Sequence, residues 1–156
     1  MRKLTVCIVA TGCLALGGNA LAGDPADFGG KIDKGGKIGI DTDFGTDHVD
    51  RIRYEDFPTR CNGNPNFTFE ATWFLGSDAP IVDKKFTIDT ETMSGDKLHM
   101  TGKLVDGATK IKGEIKATMF FDGGATKCVS RLRDYTAKAG RDTTDLDPKA
   151  SHRRVR

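Results

Sequence analysis

Acidic residues crowd one short stretch of this chain: Asp41, Asp43, Asp47 and Asp50, with His48 among them. Several hard oxygens converging on one ion is the chemistry of a calcium site. The run from Asp41 to Asp47 approaches such a loop, and Asp41, Asp43 and Asp47 are its candidate metal ligands. The run departs from the helix-loop-helix calcium pattern, which puts glycine sixth and closes on a glutamate; here Gly45 is fifth and no Glu closes the loop. Placed on a strand and hairpin, the same acids form a solvated face.

Ser94-Gly95-Asp96-Lys97 has the serine–x–x–lysine spacing of penicillin-recognising enzymes. Those enzymes seat the serine at the start of a buried helix, whereas these four residues read as a turn entering a strand, and the companion motifs are missing. His48, His99 and His152 stand far apart, with no Cys or His at metal-ligand spacing. No Gly-rich loop opens a helix, so a phosphate cradle has no support. Trp73 lies inside an alternating run and reads as core. No catalytic residue is assigned, and no cofactor is expected.

The first 22 residues have another purpose. Arg2 and Lys3 precede an apolar run, Leu4 to Leu16, and Ala20-Leu21-Ala22 supplies a small-residue exit. That is the pattern of a secretory signal peptide cleaved after Ala22. The run is too short to span a bilayer as a helix. Ala10-Thr11-Gly12-Cys13 grazes a lipoprotein cleavage site but lacks the usual Leu three residues before the cysteine, leaving lipidation of Cys13 as the alternative. Processing removes Arg2 and Lys3 from 24 basic residues, so 22 face 22 Asp and Glu. A neutral chain carries no long-range field for nucleic acid, and no nucleic-acid partner is expected. Cys7 and Cys13 leave with the leader, and Cys61 and Cys128 allow one intramolecular disulfide in an oxidising compartment, secreted or periplasmic.

Residues 23–36 are Gly- and Asp-rich and read as a loose lead-in. Period-two alternation marks residues 37–137 as one β-domain. Ile38, Ile40, Thr42 and Phe44 alternate first, and Val49 to Tyr54 form an irregular second strand. Phe67, Phe69, Ala71, Trp73 and Leu75 give the clearest inward face, and Phe86 and Ile88 a shorter strand. Leu98 to Leu104 and Ile111 to Phe121 flank an Asp106-Gly107 hairpin. Gly102 and Gly113 on its two arms imply a bend over the core. A last strand carries Cys128, with Val129 and Tyr135 on its opposite face. About seven strands predict an antiparallel sandwich or flattened barrel with one Cys61–Cys128 disulfide. Residues 138–156 collapse into a polar, basic tail predicted to be mobile. Arg153, Arg154 and Arg156 there could make a weak contact with an anionic surface.

The Gly-rich start, the cysteine before a Phe-rich strand and the hairpin with strand glycines combine with Cys128-Val129-Ser130 and Tyr135-Thr136-Ala137. In this layout, over about residues 29 to 138, the chain resembles a loose group of small secreted bacterial two-cysteine β-proteins. The resemblance implies the fold and, the group having no assigned activity, nothing about function. The reading is an exported cell-envelope or extracellular binding module of unknown ligand. The alternatives are a small secreted enzyme without a recognisable motif, or a structural envelope protein.

Overall fold

Alternating side chains build the strands, and turns rich in Gly, Asp and Asn join them. The computed structural model describes residues 6–9, 27–43, 47–75 and 79–140. Its ten strands are β1 Val6–Val9, β2 Phe28–Ile32, β3 Lys37–Asp43, β4 His48–Cys61, β5 Asn64–Phe74, β6 Lys85–Glu91, β7 Lys97–Val105, β8 Lys110–Phe121, β9 Thr126–Ser130 and β10 Arg133–Ala139. Among the described residues there is no α-helix, only a 3-10 turn at Asp122–Gly124 between β8 and β9.

Six strands close a barrel in the order β2–β3–β4–β9–β8–β10, returning to β2. Outside the ring, β5 lines β4, β7 lines β8, and β6 lines β7. The fold is therefore all-β with a closed barrel, and the sandwich alternative is set aside. These pairings are antiparallel. Val6–Val9 instead lies parallel on the outer edge of β5, Val6 opposite Ala71 and Val9 opposite Phe74. The cleavage site, Cys13 and residues from 141 onward, including Arg153, Arg154 and Arg156, lie outside the described residues.

Three expectations are corrected. The lead-in is not loose throughout: Phe28–Ile32 is a barrel strand, with Phe28 and Ile32 buried. Five residues with two glycines are too short to show a period, yet this strand gains partners on both sides, β10 and β3. A Cβ on Gly30 would lie 1.9 Å from the Thr136 carbonyl oxygen, so the approach to β10 needs glycine. The irregular second strand runs on to Cys61, because a bulge at Glu55 and Asp56 resets the alternation between buried Tyr54 and buried Phe57. The last strand is two strands. Cys128 and Ser130 are buried in β9, and after Arg131 and Leu132 the buried set moves to Tyr135 and Ala137 in β10. Tyr135 thus faces the core as Cys128 does.

The interior is aromatic at one end. Tyr54, Phe57 and Phe69 meet edge to face with ring centroids 5.1 to 5.9 Å apart. Trp73 is buried as expected, and its Nε1–H donates to the Tyr54 hydroxyl at 3.0 Å. The hairpin around Asp106-Gly107 forms as predicted, with Val105 opposite Lys110 and Gly102 opposite Gly113. At Gly102 the Phe86 ring occupies the space a Cβ would take, 2.1 Å away, so the glycine permits close packing. Cys61 and Cys128 are direct partners in register across β4 and β9, bonded through sulfur, with Cα atoms 3.9 Å apart.

Gly102→Ala should therefore cost about 1–3 kcal/mol through overpacking. A double-mutant cycle with Phe86→Leu, read by chemical denaturation, should show the two losses to be less than additive. The disulfide closes a sequence separation of 67. Chain-entropy arithmetic assigns such a loop about 4 kcal/mol. Reduction or Cys128→Ser should lower the unfolding midpoint by roughly 10 °C or more. The far-ultraviolet strand signal at low temperature should be kept. Two freely titrating thiols in the folded, air-exposed protein would contradict this.

Candidate functional site

Among the described residues the acidic cluster forms no converging group. Asp41, a direct partner of Arg51 in the β3–β4 register, is buried and accepts from Arg51 Nε and, at 3.5 Å, from an Arg53 guanidinium nitrogen. Two cations at one carboxylate repel a third, so Asp41 serves an ion pair. Asp47 and Asp50 are exposed, and the Asp43 side chain lies outside the described ones. Among the described residues no three His, Cys, Asp or Glu side chains form a group able to hold a metal.

Ser94 and Lys97 also go separate ways. Ser94 Oγ donates to Asp96 Oδ2 at 2.9 Å, while Lys97 Nζ pairs with Glu91 at 3.0 Å. Asp96 is buried and accepts the Phe120 amide at 2.6 Å, tying the β6–β7 turn to β8. That carboxylate is structural. His99 Nδ1 lies 2.6 Å from Asp89 Oδ1 across β6 and β7, a pair that sequence spacing did not reveal. The groove beside it is lined by Thr90, Thr118, Lys97 and Lys116 and by neither Ser nor Cys.

What the fold does assemble is cationic. At the end of the barrel where β4 meets β9, a groove of about 610 Å³ is lined by Arg60, Lys127, Arg131 and Arg133, together with the hydroxyl residues Thr59 and Ser130. No aspartate or glutamate lines it. The cystine organises this end: Arg60 precedes Cys61, Lys127 precedes Cys128, and the register holds Arg60 opposite Val129. Asn62 fixes the floor by accepting the Lys127 amide at 3.0 Å and donating to the Ala125 carbonyl. Lys127 Nζ stands 5.8 Å from the Phe120 ring centroid.

Arg133 is the most telling of the four. It begins β10 opposite the buried Ile115, and its Nε is buried without a hydrogen-bond partner. A guanidinium stays charged, and its donors seek planar oxygen acceptors. Elsewhere Arg51, Arg53, Lys97, His99 and Lys110 each meet a carboxylate. Among the described residues none meets Arg60, Lys127, Arg131 or Arg133. Lys127, Arg131 and Arg133 lie close in sequence but Arg60 is distant, so no single motif announces the set. The available signal was the cation directly before each bonded cysteine.

Glu55, in the β4 bulge, is the titratable group to watch. Burial pushes its carboxyl up to about 7, with repulsion from Glu70 adding and Lys37 opposing. Burial also pushes the Tyr54 and Tyr135 hydroxyls up, so both stay protonated. A carboxyl raised in the folded state binds its proton there more tightly than in the unfolded chain. Its stabilising share is present below the ordinary value of 4.5 and is lost as pH rises through about 7. Glu55→Gln should therefore raise the unfolding midpoint more at pH above this window than below it, flattening the pH dependence in between. An equal shift at both extremes would contradict the assignment.

No protein family, curated protein or solved structure matches this chain.

Proposed function

We propose that this chain is an exported binding module, of the cell envelope or the extracellular space, whose cationic groove takes an anionic group of phosphate, sulfate or carboxylate type. The observation that carries the reading is a groove that gathers four cations, Arg60, Lys127, Arg131 and Arg133, and no carboxylate. A planar oxyanion in the groove would meet the cations that line it through charge-assisted bonds. Arg60 and Arg131, both exposed, would add attraction at the rim, while the buried Thr59 and Ser130 hydroxyls are already engaged, with the Phe67 carbonyl and the Ala117 amide.

Export rests on the leader read in residues 1–22. The cystine is compatible with an oxidising compartment. Among the described residues no helix is long and apolar enough to cross a membrane.

Calorimetric titration of the oxidised protein with inorganic phosphate and with sulfate tests the proposal. Binding should appear at low salt and weaken as salt screens the rim cations over roughly 8–10 Å. Arg133→Gln should weaken it about ten-fold or more, the scale of a lost charged hydrogen bond. Lys103→Gln, an exposed cation outside the groove, should leave it unchanged. Absence of binding by both anions, or equal effects of the two substitutions, would overturn the reading.

A further inference from the structure

The cationic groove has an apolar companion. Leu132 stands between Arg131 and Arg133 in the link from β9 to β10, and 48% of it is exposed. Phe67, 46% exposed, lies opposite Thr59 in the β4–β5 register, and Thr59 Oγ1 donates to its carbonyl at 3.2 Å. Leu132 thus adjoins two groove residues in sequence and Phe67 pairs with a third, though neither lines the groove itself. Single exposed apolar residues are ordinary on a protein surface, and Val82 and Met93 are such cases in other loops. Leu132 differs because arginines flank it on both sides and both arginines line the groove.

We infer that this end of the barrel docks on an anionic phospholipid surface, the groove receiving a headgroup phosphate while Leu132 and Phe67 enter the interfacial layer. The inference rests on the anion-binding reading and narrows its ligand. Charge complementarity selects the partner: four cations with no carboxylate between them meet a surface of phosphates. The apolar side chains select a lipid source over free phosphate. Dissolved phosphate gives Leu132 nothing to bury against, whereas a bilayer interface accepts apolar groups and cations together. Arginine stems also bury along such an interface while their heads stay at headgroup level.

Co-sedimentation of the exported, oxidised protein with vesicles tests this. Vesicles of phosphatidylcholine containing one third phosphatidylglycerol should bind it, and phosphatidylcholine alone should not. Leu132→Ser should lower vesicle affinity about five-fold, the scale of half-burying a leucine. Calorimetry with inorganic phosphate should give this variant a wild-type constant. Arg131→Ser should lower vesicle affinity about five-fold, the worth of one cation near an anionic surface. Val82→Ser should change neither readout.

Phosphate binding without vesicle binding would overturn the lipid inference and leave the anion-binding reading standing. Equal vesicle binding by wild type and Leu132→Ser would likewise remove the apolar contact and with it the lipid source. Failure of both phosphate and vesicles to bind would overturn the two readings together.

Discussion

Strand β9 is the constraint on which this molecule depends. Strand β4 outruns β3, which pairs with it only as far as Glu55, and β8 outruns β10, which pairs with it only as far as Ile115. The two overhangs need partners for their backbone groups, since unpaired buried donors and acceptors are costly. Five residues, Thr126–Ser130, supply both: Thr59 to Cys61 on one side and Thr118 to Phe121 on the other. A short strand held only by such ladders would open easily, and the bond from Cys128 to Cys61 fixes it to β4 in register. Barrel closure, the burial of Met119 and the position of Arg131 all depend on that one seam.

The same seam explains why charge accumulates there. Along the β3–β4 ladder, Arg51 and Arg53 share the carboxylate of Asp41, and β6 and β7 pair Lys97 with Glu91 and His99 with Asp89. Cross-strand register matches opposite charges at those positions, although Lys85 stands opposite Lys103 in the β6–β7 ladder. At the seam the register matches Arg60 to Val129 and Lys127 to Phe120, so cations meet apolar partners. The link Arg131-Leu132 then resets the alternation and turns Arg133 toward the buried face of β10. A nearly neutral chain thus holds a concentrated positive groove through placement, not composition.

Much of the barrel could be read from period two alone. Strands β3, β5, β7 and β8 have long alternating runs, and the buried set, from Ile38 and Ile40 through Trp73 to Leu98, Met100, Ile111 and Ile115, lies where alternation puts it. The disulfide was legible because only one pairing was open. Two of the misses share one physical origin, a break in phase. Bulge residues Glu55 and Asp56 and the link at Arg131 each shift the inward face by one residue, so local alternation misassigns the residues C-terminal to each break. Phe28–Ile32 gave too short a signal, and its strand character comes from two neighbours distant in sequence. The groove was illegible for the same reason: Arg60 and Arg133 meet only after the seam closes. Of the acids that did stand together in sequence, Asp41 is claimed by an ion pair and Asp47 and Asp50 are exposed.

The central claim is that the cystine seam builds an anion site at Arg133. A two-dimensional amide NMR titration of the oxidised protein with inorganic phosphate tests it residue by residue. The account predicts saturable shifts concentrated at Arg60, Asn62, Lys127, Arg131 and Arg133, with Asp41, Arg51 and the Ser94–Lys97 turn unmoved. Shifts centred on Asp89 and His99, or spread evenly over exposed lysines without saturation, would contradict it.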